Sequence, residues 1–213
     1  KNDDGRQCLS VIKYFQEKNV KDSDFFFEIE LDENGTTQNV FWADGRSRAS
    51  YMNFGDVIVF DVTYKTNAFS MPFAPFTGIN HHRQSSLFGC ALLADETEAT
   101  FTWLFKTWLK CMWGKAPTSI ITDQDGAMRK AIATIFPRTH HKFCPWHISN
   151  NAMIHLKQLK FNHSEFEKEY NDWIHRSDTT AEFEKKWKII KEKYNLDKNS
   201  WLASMYDVRH HWI

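Results

Sequence analysis

Two aspartates stand where carboxylates can do metal chemistry. Asp61 ends the β-branched and aromatic run Val57-Ile58-Val59-Phe60, and Asp123 follows the short run Ser119-Ile120-Ile121-Thr122. If the two runs are neighbouring strands, both carboxylates reach the same sheet edge. Oxygen ligands placed this way bind hard divalent cations such as Mg²⁺ or Mn²⁺. A metal pair about 4 Å apart can activate a water and stabilise the leaving oxygen in phosphodiester cleavage. A plainer role competes with this one: Asp123 could cap the helix that begins at Gly126, and Asp61 could open a turn. Other acids stand nearby in sequence, namely Asp56, Glu96, Glu98 and Asp125. Asp125, two residues past the strand, is placed to face solvent or to cap the helix.

A second constellation is Cys144-Pro145-Trp146-His147, with His140 and His141 just upstream. A thiolate and an imidazole three residues apart on a helical turn share a face and suit two ligands of a tetrahedral zinc. Without a second Cys/His pair this is half a site, so a packed or hydrogen-bonded Cys144 and His147 is the better reading and structural zinc the alternative. The pair His81-His82 reads as part of a loop.

The elements that must position these residues follow from periodicity. An amphipathic helix carrying Leu9, Ile12 and Phe15 opens the chain. A hairpin follows, with β-prone Phe25 to Leu31, turn residues Asp32-Glu33-Asn34-Gly35 and then Val40-Phe41-Trp42. From Val57 the pattern gives strands at 57–60, 73–79 and 87–93. Next comes a helix capped by Thr97 with apolar Phe101, Leu104, Phe105, Trp108 and Leu109, closed by Gly114 and Pro117. The strand 119–122, a helix with Met128, Ile132 and Ile135 that stops at Pro137, and a strand at 140–143 complete the order β-β-β-α-β-α-β. In that arrangement the first and fourth strands lie side by side, which would join Asp61 to Asp123. Beyond Cys144 every segment has helical spacing, near 147–159, 165–174, 180–194 and 200–212. The expected organisation is a helix-plus-hairpin segment (1–50), an α/β core (51–143) and an all-helical unit (144–213).

Phe161, Phe166, Tyr170, Trp173, Phe183, Trp187, Tyr194 and Trp201 recur at helical spacing and predict the core of the helical unit, with base stacking as the sharper alternative. Lys185, Lys186, Lys188, Lys191 and Lys193 make a basic face that could touch phosphate. The interleaved Glu182, Glu184 and Glu192 favour a solvated helix surface.

With 213 residues, 42% of them apolar and 15% aromatic, the chain can bury a substantial core. Lys+Arg and Asp+Glu balance at 27 each, so any nucleic-acid contact must be local. Four dispersed cysteines, without a secretory apolar segment, point to a reducing, intracellular compartment. No apolar run is long enough to cross a bilayer, so no membrane partner is expected. The chain opens without Met in the middle of a helix pattern and reads as a piece of something longer.

An ordered series of motifs resembles the far-red-impaired-response family. It runs through Phe41-Trp42-Ala43-Asp44-Gly45-Arg46-Ser47-Arg48, Phe60-Asp61-Val62-Thr63-Tyr64-Lys65-Thr66-Asn67 and Met71-Pro72-Phe73-Ala74-Pro75-Phe76. Gly78-Ile79-Asn80-His81-His82, Gly89-Cys90-Ala91-Leu92-Leu93, Ile121-Thr122-Asp123-Gln124-Asp125 and Cys144-Pro145-Trp146-His147-Ile148 continue it. The resemblance implies a Mutator-like transposase domain with a ribonuclease H-like fold and a helical insertion, in plant nuclear DNA-binding transcription regulators of light signalling. It also implies zinc-binding DNA-recognition and SWIM-type domains elsewhere in such a protein, and homo- or hetero-dimers with related proteins. Family transposases use two aspartates and a glutamate. Asp61 and Asp123 match the first two, and the chain stops before the segment where the third is expected, so as given it should be catalytically incomplete. Val62 stands where many relatives carry Thr. The alternatives are an active transposase using two-metal phosphoryl transfer and a protein-interaction module built on the aromatic helical unit.

Overall fold

The computed structural model of the chain describes residues 3–63, 71–196 and 201–212. The motif residues 64–67 and the side chain of Leu9 lie outside the described parts. The chain divides into two units, Lys1–Lys142 and Phe143–Ile213.

The first unit begins with α1 (Asp3–Lys21) and the hairpin of β1 (Phe26–Leu31) and β2 (Thr37–Ala43). Its turn forms because Asp32 Oδ1 accepts the N–H groups of Asn34 (2.9 Å) and Thr36 (2.7 Å), while Gly35 takes φ +77°, a conformation costly for other residues. Then come α2 (Gly45–Phe54), β3 (Val57–Phe60), β4 (Phe73–Ile79), β5 (Ser85–Leu92), α3 (Glu98–Cys111), β6 (Ser119–Thr122), α4 (Gly126–Ile135) and β7 (His140–Phe143). From Val57 onward this is the order read from periodicity. Among the described residues the strands form one mixed sheet, ordered β1-β2-β5-β4-β3-β6-β7. The hairpin is continuous with it, because Val40, Phe41 and Trp42 of β2 pair antiparallel with Leu92, Ala91 and Cys90 of β5.

Alternation along β2 feeds two cores. Phe41 and Ala43 join the large core built with α2, α3 and α4, whereas Val40 and Trp42 pack with Phe15 of α1. The large core is aromatic: Phe76 stacks on Trp108 with centroids 4.1 Å apart, and Phe60 lies 4.6 Å from Phe76 and 5.3 Å from Phe105. Gly78 is required by close approach, since a Cβ there would sit 2.4 Å from the Phe88 ring.

Helix α2 is the element the sequence pattern misses. Only Arg48 and Tyr51 of it are buried, so it has no apolar stripe to read. Its start was marked, however: Asp44 is the N-cap and accepts the Ser47 N–H at 2.6 Å. The Arg48 guanidinium lies 3.9 Å over the Trp113 ring, donates from Nε to the Cys111 carbonyl (3.0 Å) and from an Nη to the Asp24 carbonyl (2.6 Å). It thereby ties the C-terminus of α3 to α2 and the loop before β1. Burial pushes the Cys111 thiol up to about 12, against the pull of Arg48, and the Cys90 thiol up to about 11. Both are packing groups rather than nucleophiles.

The second unit holds α5 (Pro145–His155), α6 (Lys157–Asn162), α7 (Phe166–His175), α8 (Thr180–Lys193), α9 (Trp201–Asp207) and a 3-10 turn, Arg209–His211. Phe166, Tyr170, Trp173, Phe183, Trp187 and Tyr194 form its core as the spacing predicts, with Trp201 packed at the margin. Phe161 does not: it is 86% exposed. Leu156 supplies the buried face of this stretch, and five residues at 100° each carry Phe161 about 140° away from it. The lysines of α8 are also less free than their number suggests. Lys186 pairs with Asp172 and Glu182 (both 2.9 Å), and Lys193 with Glu165 (2.9 Å) and Glu169 (2.6 Å). No helix among the described residues is long and apolar enough to cross a membrane.

Removing the Arg48 guanidinium strands the buried Cys111 carbonyl and takes a partner from the part-buried Asp24 carbonyl. Arg48→Met is expected to lower the unfolding free energy by about 2 kcal/mol in urea denaturation. Arg48→Lys, which cannot span both carbonyls, is expected to recover only part of that loss; an unchanged midpoint in Arg48→Met would show the clamp to be dispensable.

Candidate functional site

The β3–β6 pairing decides where the aspartates lie. These strands run parallel, with Val57 opposite Ser119, Ile58 opposite Ile120 and Val59 opposite Ile121. Carried two residues further, the same register sets Asp61 opposite Asp123. Ile58, Phe60, Ile120 and Thr122 point into the core, so alternation sends Asp61 and Asp123 to the same other face. Neighbouring strands are about 4.8 Å apart, close enough for two carboxylates to share a cation. Asp61 is exposed and Asp123 half-buried.

Asp123 is not the cap of α4. Asp125 is, accepting the Met128 N–H at 2.7 Å. Asp123 instead receives the Asp125 N–H on Oδ1 at 3.2 Å, an Asx turn that orients its carboxylate. The backbone of this loop is held from β7. Thr122, buried, donates its hydroxyl proton to the Asp123 carbonyl at 2.7 Å, and its oxygen lies 2.8 Å from His141 Nε2. A hydroxyl has one proton, so His141 must be the donor, in its Nε2–H form. His141, which the sequence set beside Cys144, thus supports the aspartate loop.

The competing acids separate cleanly. Asp56 precedes β3, and its carbonyl accepts the Ser119 N–H (2.9 Å), so it marks the opposite sheet edge. Glu98 is exposed and pairs with Lys130 at 3.6 Å; Glu96 lies in the exposed loop before the N-cap Thr97. Asp95, which the sequence reading passed over, follows β5 at the same edge as Asp61, since β3 and β5 both run antiparallel to β4. It is already engaged: its Oδ1 accepts the Thr100 hydroxyl (2.6 Å), the Thr97 hydroxyl (2.8 Å) and the Thr97 N–H (3.0 Å). These bonds, that from Thr100 foremost, hold its carboxyl below the usual carboxylate range. The spacing Asp95-x-Thr97-x-x-Thr100 was the signal for it.

Cys144 is the N-cap of α5 without a side-chain capping bond, and Pro145 occupies the first turn. Cys144 and His147 are both half-buried, and the His147 ring meets the Trp146 ring edge-on at 4.8 Å. Among the described residues no three His, Cys, Asp or Glu side chains gather to hold a metal ion. The aspartate pair suits Mg²⁺, which keeps several waters and takes one or two protein carboxylates. Cys144 and His147 fall short of the four ligands of a structural zinc.

Comparison with known proteins places the chain among transposase-domain sequences. Residues 57–151, the stretch containing both aspartates, match the MULE transposase domain. Along 95% of its length the chain is 44% identical to Protein FAR1-RELATED SEQUENCE 7, 39% to Protein FAR1-RELATED SEQUENCE 5 and 38% to Protein FAR-RED IMPAIRED RESPONSE 1, all of Arabidopsis thaliana. The chain is homologous to these far-red-impaired-response proteins over nearly its whole length. It covers 26%, 26% and 24% of these three relatives, about a quarter of each. Within that quarter lie the β3–β6 register and the Asp61/Asp123 pair.

Substitution separates the two aspartates of the loop. Asp125→Ala removes a helix cap and is expected to cost about 1 kcal/mol. Asp123→Asn retains an oxygen for the Asp125 N–H and is expected to change stability by less than about 0.5 kcal/mol. Chemical denaturation measures both; equal losses would mean that Asp123 is a structural residue.

Proposed function

We propose that this chain is the transposase-derived domain of a plant nuclear, DNA-binding transcription regulator of the far-red light-signalling kind. The observation that carries the reading is that the segment matching the transposase domain is the one that brings Asp61 and Asp123 into register. The order β5-β4-β3-β6-β7, with β3 and β6 parallel, supports a ribonuclease H-like core. The chain's balance of 27 basic and 27 acidic residues supports placing the main DNA contact in other parts of the longer protein. Zinc belongs to those parts too, with Cys144 and His147 able to supply at most two ligands. Its protein partners are related family members, as homo- or hetero-dimers.

In this reading the domain serves regulation and does not cut DNA. Asp61 and Asp123 would hold a Mg²⁺ or Mn²⁺ ion, which when bound supplies Lewis acidity toward a phosphate oxygen. Asp95, the third carboxylate at that edge, is engaged by Thr97 and Thr100 at the start of α3. A second reading, an active Mutator-like transposase, is favoured by the intact register of the same pair.

A strand-cleavage assay on the full-length protein with Mn²⁺ separates them. The regulatory reading expects DNA binding with no cleavage above that of Asp61→Asn. Cleavage that disappears in both Asp61→Asn and Asp123→Asn would establish the active transposase instead.

A further inference from the structure

The hydroxyl of Thr122 stands in a place where packing does not call for it. Thr122 is 1% exposed and ends β6 after Ser119-Ile120-Ile121, where valine would have the same shape without the polar atom. A buried hydroxyl costs stability unless it is hydrogen-bonded. Here it is bonded on both sides, donating to the Asp123 carbonyl at 2.7 Å and accepting from His141 Nε2 at 2.8 Å. His141 is half-buried on β7, and β7 is placed beside β6 by the His140 N–H, which donates to the Thr118 carbonyl at 2.9 Å. Two side chains are thus spent on the direction of one carbonyl.

That carbonyl belongs to the aspartate. We infer that Thr122 and His141 are positioning residues for a divalent cation at Asp61 and Asp123, setting its affinity by locking the peptide plane that follows Asp123. The distances show which bond governs. The Asp125 N–H reaches Asp123 Oδ1 at 3.2 Å, the long limit of an N–H···O bond, whereas the bonds on either side of the Thr122 hydroxyl are 2.7 and 2.8 Å. If the peptide plane turns, the Asp125 N–H swings off Oδ1 and the carboxylate loses its orientation. The Asx turn therefore depends on the Thr122–His141 pair. His141 cannot serve as a ligand through Nε2, because that nitrogen gives its proton to Thr122. Neither residue adds a negative charge to the site, so the pair acts on geometry alone.

This inference rests on the reading of the aspartates as a cation site and names what tunes that site. Groups that orient metal ligands from outside commonly shift metal affinity by about 10–100-fold. A pair kept only for stability would behave differently. Replacing both members by apolar groups leaves neither side chain with an unmet partner, and the half-buried Asp123 can turn its carbonyl to water, so stability should change little. The cation should lose its ligand geometry all the same.

Mn²⁺ binding to the 213-residue chain, read by electron paramagnetic resonance, tests the inference. Thr122→Val with His141→Leu is expected to bind Mn²⁺ about tenfold or more weakly than wild type while keeping its circular dichroism. Thr122→Ser and His141→Gln each preserve the hydrogen-bond chain and should bind as wild type does. In the metal-free chain, the order parameter of the Asp123 amide, from NMR relaxation, should fall from about 0.85 to below about 0.6 in the double variant. His141→Leu alone gives the same two readings should the double variant fail to fold. An affinity unmoved in the folded variants, with Asp61→Asn still abolishing binding, would overturn the inference and leave the cation site standing. Binding unmoved by Asp61→Asn would remove the cation site itself. The metal-free order parameter then decides, and an unchanged value overturns the positioning role as well.

Discussion

The parallel pairing of β3 with β6 is the constraint on which the rest of the first unit turns. Parallel neighbours cannot be joined by a tight turn, so a long crossover must intervene. Here that crossover contains β4, β5 and α3, and it carries most of the aromatic core on its way. Phe76 and Trp108, stacked at 4.1 Å, sit between strand and helix, and Phe60 from β3 joins them. The same packing that fixes α3 over the sheet fixes the register of the two strands beneath it. The position of Asp61 opposite Asp123 is then a consequence of core packing. It requires no direct attraction between two like charges.

The Asp123 loop is held by hydrogen bonds to its own backbone and from β7. Thr122 and His141 fix the Asp123 carbonyl, the Asp125 N–H meets the Asp123 side chain, and Asp125 itself is drawn off to cap α4. Asp95 at the end of β5 is drawn off in the same way by Thr97 and Thr100. At this acid-rich edge Asp125 caps α4 and Asp95 is engaged by Thr97 and Thr100, while strand alternation sends Asp61 and Asp123 to the same face.

Much of this arrangement was legible in the sequence, for reasons that differ by element. The runs Val57-Ile58-Val59-Phe60 and Ser119-Ile120-Ile121-Thr122 announced strands by β-branching, and Thr97 announced α3 by its capping chemistry. Helix α2 was hidden because its inward residues are an arginine and a single tyrosine, which make no apolar period. Phe161 misled for the opposite reason: it looks like a core residue by type, and only the phase set by Leu156 shows that it faces out. The roles of His141 and Asp95 depend on partners in other elements or on a local capping pattern, and the sequence order put His141 with Cys144 instead. Residue type and spacing read well where a single element decides the outcome. They read poorly where two elements must be set against each other.

The central claim, that the fold holds Asp61 and Asp123 opposite one another, is tested most directly by cross-linking. Register neighbours on adjacent strands fall within the roughly 4.4–6.8 Å Cα separation that a disulfide spans. In a chain carrying Asp61→Cys and Asp123→Cys, mild oxidation should close an intramolecular disulfide, while Asp61→Cys with Asp125→Cys should remain reduced. Failure of the first pair to close in the folded protein, or equal closure of both pairs, would contradict the register and with it the site.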